Sequence, residues 1–558
     1  MGAAWRSTGA AGRGTAGSNR GCVLKFAVVG GGIAGLSAAW ELANAGAEVT
    51  VYEPGHLGGK LLTSDFQGKP VDEGPDAMLA RVPEGVALCR EIGLGDELVA
   101  PAASKAMVWS GGALRELPDG LVLGAPARLL PLARSGIVPP TGLLRALGDL
   151  VLPRSHIGDD ASVFDVVASR FGAEVAGRLV EPLVGSIYAS STRTLSAATA
   201  APQLLAAAKS TRSLLKALRR AGPSGTGSAA TGTASAPGGG AGQQAPSPVF
   251  LAPAGGMQAI ADRLVELLSA PELGARFLPF EVTALTPSGG QTGTGGPDAG
   301  CGAGGAGGAG GAGRAGGVVV APGDEHYDGA VVAVPAPAAI GLLAPLLGEV
   351  TTAGGLARLR ELLNAGTTSV GIITIAFSAD DLQLPAGQSG VLVPAQEAMV
   401  MTACSFGSNK WPRWASPGMV VLRASVGRSD DDKWLSMGDK ELVARLTAEI
   451  ATVLARLPQG PDRDGRARAR SGGLVCRPSS LTPAAWRVSR WPASLPRYPV
   501  GHLARMAELT TLLETHAPTV ALAGASYGRV GVPACVASGR RAATAVISAM
   551  QALRPPAR

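Results

Sequence analysis

Several features that would mark a specialised compartment or partner are missing from this chain. Its six cysteines, at positions 22, 89, 301, 404, 476 and 535, form no CxxC pair and no metal-like spacing. That excludes a zinc module and leaves reduced, mostly structural thiols in a cytoplasm as the simplest account. Charged residues make up only 16% of the chain. The basic ones are scattered, with short pairs such as Arg219–Arg220 and a small run from Arg466 to Arg470. A net charge of +7 therefore suits a solvated surface or a polycarboxylate substrate, and no nucleic-acid partner is expected. An uninterrupted apolar run long enough for a membrane is also lacking. The 19 residues from Ala330 to Gly348 carry no charge, but three prolines cut them, so a strand, a loop and a short buried helix are expected rather than a transmembrane segment. Residues 1–23 have no apolar core and read as a disordered tail, not a secretory signal. A cytoplasmic location follows, with peripheral membrane contact left open.

Glycine, in contrast, is abundant, and its 80 copies are concentrated. The stretches 221–247 and 287–317 hold almost nothing able to bury apolar area against the entropy of ordering, and irregular glycine spacing excludes collagen. Both read as flexible surface insertions, as does the charged stretch 458–473. The remaining sequence is long enough for two or three domains.

The first organised segment is the apolar run Lys25 to Val29, followed at once by Gly30-Gly31-Gly32-Ile33-Ala34-Gly35. Leu36, Ala39, Trp40 and Ala43 then recur at helical spacing until Gly46, and "EVTVYE" alternates as a strand ending on Glu53. This is a βαβ unit with GxGxxG in its first turn and an acid 18 residues beyond the last glycine. Gly30 permits the tight turn, Gly32 lets a pyrophosphate approach the backbone, and Gly35 lets helix pack on strand. The helix start offers N–H groups and a positive dipole end to phosphate. Glu53 can accept hydrogen bonds from both adenosine ribose hydroxyls.

The turn alone does not separate NAD from FAD. Further on, Gly58-Gly59-Lys60 precedes Asp72-Glu73-Gly74-Pro75-Asp76, a combination that resembles the extended motif of FAD-containing amine-oxidase-like proteins. Near the other end, "TVALAGA" reads as a strand, "SYGRVGV" as a turn, and Pro533 as the first residue of a helix running to about Met550. A helix start there could stabilise negative charge on a reduced flavin. Both ends of the chain are thus expected to hold one FAD.

Family-like blocks then recur in order: "EGPDAMLAR", "VEPLVGSIYASSTRTLS", "LAPAGGMQAIADRL", "SNKWP", "RWPASLPRYPVGH" and "GASYGRVGVPACVASG". By these the sequence resembles the FAD-dependent coproporphyrinogen III and protoporphyrinogen oxidases, themselves amine-oxidase-like flavoproteins. Ala534 departs from the family, which usually has Asp before the cysteine, and the glycine-rich insertions are not typical of it.

The resemblance implies an α/β fold in three parts. An FAD-binding Rossmann-like domain is expected from residues 24–96, 249–335 and 503–558, a helical subdomain from 97–215, and a mixed-sheet substrate domain from 336–502. Glu281 to Leu285 and Asp328 to Val334 are expected as strands paired in a hairpin around the second insertion. The implied reaction is a six-electron oxidation of a porphyrinogen to a porphyrin, with dioxygen as acceptor and hydrogen peroxide as product. Coproporphyrinogen III is the expected substrate; protoporphyrinogen IX oxidation and FAD amine oxidation are the alternatives.

The cofactor set expected on motif and resemblance together is Gly30, Gly31, Gly32, Ile33, Ala34, Gly35, Glu53, Lys60, Gly74, Pro75, Asp76, Val282, Trp411, Val530, Gly531 and Val532. Arg81 is the candidate clamp for a substrate carboxylate, since a guanidinium fork binds one bidentately. Tyr188 is a candidate pocket wall. No catalytic acid or base and no metal ligand is named, because the cofactor carries the chemistry. Cys535 raises covalent attachment, but the resemblance implies noncovalent FAD. His502 is expected in a structural role.

Overall fold

The computed structural model describes residues 23–153, 157–221, 248–288, 317–351, 353–456 and 481–553. The stretches read as a tail and as insertions lie almost entirely outside these residues, and only their margins are described.

Strand β1 (Lys25–Val29) is apolar and buried except at Lys25, helix α1 (Ile33–Asn44) follows the glycine turn, and β2 (Glu48–Tyr52) returns parallel to β1. Three more parallel strands complete a five-stranded sheet in the order Arg276–Leu278, β2, β1, Gly329–Val332, Val520–Leu522. Strands buried on both faces need near-continuous apolar sequence, which "FAVV", "VTVY" and "GAVV" supply. The C-terminal helix Val532–Leu553 lies against α1. At their contact a β-carbon on Gly539 would sit 2.1 Å from the Ala34 carbonyl oxygen, so the two helices meet backbone to backbone.

The hairpin around the second insertion differs from expectation. Strand Ala284–Ser288 pairs antiparallel with Gly317–Ala321, while Gly329–Val332 joins β1 in the main sheet. Pro287, Ser288 and Gly317 are therefore strand residues. "GVVVA" is concealed in sequence because it adjoins a glycine-rich run.

A second sheet has seven strands in the order Ala485–Pro496, Thr367–Ser378, Met419–Val426, Met401–Ser405, Gln388–Leu392, Lys105–Ser110, Ala113–Glu116. It is mixed, because Gln388–Leu392 runs parallel to Lys105–Ser110. These last two strands correct the expectation of helix from residue 97. "KAMVWS" and "ALRE" form a hairpin through Gly111-Gly112, both at positive φ (60° and 72°), a turn that only glycine adopts without strain. Beyond residue 128 the segment is helical, and Ala176–Gly185 is a π-helix that accommodates Pro182.

Candidate functional site

The glycine turn is built tightly on the protein side and openly on the other. Gly30 N–H donates to the Tyr52 carbonyl at 2.8 Å, and Gly30 stands at φ 107° against the Ala333 backbone. A β-carbon on Gly35 would lie 1.9 Å from the Gly30 carbonyl oxygen, so helix and strand touch there. Gly32 is the opposite case. Its β-carbon would meet nothing within 4 Å, and it caps α1 with no side-chain hydrogen bond. Space and helix-start amides thus coincide at the point where a pyrophosphate is expected. Ile33 and Ala34 pack inward behind it.

Glu53, at the end of β2, accepts from Gly31 N–H at 2.8 Å through one oxygen and from Gly55 N–H at 2.9 Å through the other. Those bonds fix the carboxylate and leave lone pairs for ribose hydroxyls. Val282 is buried in the same cluster as Tyr52, so its side chain packs rather than faces a ligand.

The second glycine pair backs onto the first. Gly58 N–H donates to the Gly31 carbonyl at 2.8 Å, and a β-carbon on Gly59 would lie 3.3 Å from Gly32 Cα. Lys60 follows, accessible to solvent yet flanked by protein on most sides, and this partial desolvation pushes its ammonium pKa down against an opposing effect of nearby Cys535. Gly74 lies on the Lys60 carbonyl, where a β-carbon would come within 2.1 Å.

Asp76 and Trp411, both expected beside the cofactor, are bonded to each other and to cations of the second sheet and its adjoining turn. One Asp76 oxygen accepts from Lys410 Nζ at 2.7 Å and Trp411 Nε1 at 3.1 Å, with Arg423 at 3.5 Å. Burial opposes its charge, but Lys410 and Arg423 hold the carboxyl well below the usual range. Trp411 is fully buried, under the Arg413 guanidinium at 4.6 Å, and presents no surface to a ligand. Both therefore join the flavin-side segment to the second sheet. Pro75 is half-buried between Gly74 and Asp76.

At the C-terminal turn Gly531 is exposed at φ 120°, Val530 is half-buried and Val532 is buried at the helix start. Burial pushes the Cys535 thiol up to about 11, with Lys60 opposing, so the thiol stays protonated and is a poor nucleophile. Tyr188 meets Tyr498 edge to face, their ring centroids 5.7 Å apart, and Tyr498 meets His502 in the same way at 4.9 Å. Tyr498 Oη donates to the Ala525 carbonyl at 2.8 Å, tying this aromatic stack to the C-terminal turn. His502 is buried, and desolvation together with Arg505 lowers its pKa to about 4 against Asp160. Arg81 is exposed just past the short strand Met78–Leu79, and partial burial lowers its pKa. Among the described residues, none forms an ion pair with it.

The structure brings Glu53, Lys60 and both glycine pairs together around the turn. Asp76 and Trp411 are bonded to each other and to the second sheet, and the side chain of Val282 is packed in the core. Sequence reasoning missed Tyr498, although the specific block "RYPVGH" contains it, and missed the cations Lys410, Arg413 and Arg423, whose carboxylate partners lie over 300 positions away.

A parallel sheet with a glycine turn, a ribose-side acid and a second mixed sheet point to a dinucleotide-dependent redox enzyme. The profile of flavin containing amine oxidoreductases matches residues 33–547, and the chain belongs to that family. It is an oxidoreductase, and its cofactor is FAD, which the open Gly32 cradle and Glu53 fit. Among its relatives, coproporphyrinogen III oxidase of Mycobacterium bovis is 30% identical over 538 residues, covering 94% of this chain and 98% of that one. The enzyme of that name from Bacillus subtilis is 27% identical, covering 92% and 96%. A crystal structure from Exiguobacterium sp. 255-15, described as a candidate protoporphyrinogen oxidase, superposes with a TM-score of 0.72 at 25% identity, covering 95% of this chain and 99% of that one.

Proposed function

We propose that this enzyme oxidises coproporphyrinogen III to coproporphyrin III, with dioxygen as acceptor and hydrogen peroxide as product. The observation that carries the proposal is the meeting of two family-specific blocks. Tyr188 from "VEPLVGSIYASSTRTLS" and Tyr498 from "RWPASLPRYPVGH" are in ring contact beside the C-terminal turn, and full-length relatives bear the coproporphyrinogen name. FAD, when bound, supplies the two-electron acceptor that takes hydride from the macrocycle and returns electrons to dioxygen. The chain's own residues do the rest. Gly32 and the α1 start receive the pyrophosphate, Glu53 the ribose, and Arg81 a substrate propionate. Residues 24–96, 249–335 and 503–558 form the FAD-binding part, in which Cys535 leaves the cofactor noncovalent.

Reversible contact with a membrane surface from the cytoplasm is part of the same proposal. No helix of the described residues is long and apolar enough to cross a membrane. Yet Leu130, Leu144, Leu147 and Val151 are exposed beside Arg128 and Arg134, a mixture that suits an anionic lipid surface.

An oxygen electrode with simultaneous porphyrin fluorescence tests the reaction. Coproporphyrinogen III should drive oxygen uptake together with fluorescence. Uptake with a polyamine and none with the porphyrinogen would instead support the amine-oxidase reading, which the 16% identical putrescine oxidase fold by itself does not.

A further inference from the structure

The two sheets share no strand among the described residues, so something else must fix how one is held against the other. Segment 72–76 makes that connection. On one side Gly74 packs on the Lys60 backbone, and Gly58–Gly59, just before it, pack on Gly31–Gly32. On the other side, four side chains of the second sheet and its adjoining turn reach back. Lys410 and Arg423 take Asp76, Arg423 Nη2 also donates to the Gly74 carbonyl at 2.5 Å, Arg413 donates to Asp72 at 2.6 Å, and Trp411 donates to Asp76. Asp72 is completely buried and Arg423 nearly so. The guanidinium of Arg413 lies over both Trp411 and Trp414, and that of Arg423 over Trp414.

We propose that Asp72 and Asp76, held by Arg413, Lys410 and Arg423, are positioning residues that set the distance and tilt of the seven-stranded sheet over the flavin, and so govern the rate of hydride transfer. The chemistry is sensitive to such a setting, since misplacing a substrate by about 1 Å can cost about 100-fold in rate. A buried charge deprived of its partner moves toward solvent or draws water in, and the sheet moves with it. The clasp is not the sole attachment. Glu73 accepts from Ser489 Oγ at 2.7 Å, and Trp491 Nε1 donates to the Glu73 carbonyl at 3.0 Å, so cutting one ion pair leaves the sheet attached but free to shift.

The rate arm of the test rests on the proposed substrate; the spectral arm does not. FAD-loaded full-length Lys410→Met, Asp76→Asn and Lys410→Arg are compared with wild type, and Arg358→Gln, which cuts a solvent-exposed pair with Glu508, serves as the control. Anaerobic flavin reduction by coproporphyrinogen III is followed by stopped flow, and visible circular dichroism of the bound flavin is recorded without substrate. Lys410→Met and Asp76→Asn should keep their flavin, slow reduction at saturation by roughly tenfold or more with KM within about threefold, and change the flavin dichroism; Lys410→Arg should restore both. Arg358→Gln should match wild type. Unchanged reduction and dichroism in Lys410→Met would overturn the proposal, as would loss of flavin from every clasp variant, including Arg423→Lys, which keeps the charge and is made in case Lys410→Met does not fold. If wild type fails to oxidise the porphyrinogen, the substrate assignment falls, and the dichroism alone decides the clasp.

Discussion

Gly32 and Gly35 lie three positions apart in one turn, yet they should fail differently when a side chain is added. At Gly35 a β-carbon lies 1.9 Å from a carbonyl oxygen that cannot retreat, because Gly30 is bonded to Tyr52 and backed by Ala333. Restoring ordinary contact requires α1 to move by about 1.5 Å, and overpacking of this kind costs about 1 to 3 kcal/mol or more. Gly35→Ala should therefore lower the melting temperature of the flavin-free protein as well as its flavin content. At Gly32 the backbone angles, φ −70° and ψ 174°, suit any residue, and an added β-carbon meets nothing within 4 Å. Gly32→Val should cost the apoprotein about 1 kcal/mol at most. It should nevertheless fill the pyrophosphate space. Losing two charge-assisted hydrogen bonds at about 1.5 kcal/mol each removes about 3 kcal/mol, which weakens FAD by more than about 100-fold. The assay is flavin absorbance of the purified variants beside thermal unfolding of stripped protein, since bound flavin itself raises the melting point. Gly32→Val carrying full flavin, or flavin-free Gly35→Ala melting with wild type, would refute the reasoning.

Arg81→Ala should raise KM for the porphyrinogen by roughly tenfold or more, consistent with losing a charged hydrogen bond of about 1.5 to 3 kcal/mol, while flavin content stays the same; unaltered kinetics would assign Arg81 to the surface. His502 has a folded pKa of about 4 against an ordinary value of 6.5, so the unfolded chain binds more protons between those limits. Its contribution is fully present above pH 6.5 and is lost as pH falls toward 4, by up to about 3 kcal/mol, and His502→Phe should flatten that part of the stability profile; an equal acid slope in the variant would show that other groups cause it. Acid precipitation should release yellow FAD into the supernatant, because Cys535 is protonated, and flavin retained in the pellet would indicate a covalent link.

Local signals in the sequence carried the parts of the fold that local physics determines. The βαβ unit, the strand Val520–Leu522 and the helix from Val532 each have period, glycine and proline cues within about ten residues. Where a cue pointed elsewhere, the reading failed. The Gly111-Gly112 hairpin lies in a stretch for which the family resemblance implies helix, and "GVVVA" is hidden by its glycine-rich neighbours. The cofactor turn was legible for the same reason as the fold, since glycines there answer to backbone contacts within the motif. Asp76 was not, because its role depends on Lys410, 334 positions away, and no local pattern encodes a pairing that two sheets create by packing. Trp411 shows the same limit: the block that contains it was recognisable, but only its burial distinguishes packing from ligand contact.

Substrate choice is the central claim, and a comparison of two porphyrinogens tests it most directly. Coproporphyrinogen III carries four propionates where protoporphyrinogen IX carries two and two vinyls, so one additional charge-assisted contact, about 1.5 to 3 kcal/mol, favours the tetracarboxylate by roughly tenfold or more. Parallel fluorescence assays of porphyrin formation should give a kcat/KM for coproporphyrinogen III at least about tenfold above that for protoporphyrinogen IX; an equal or higher value for protoporphyrinogen IX would contradict the assignment.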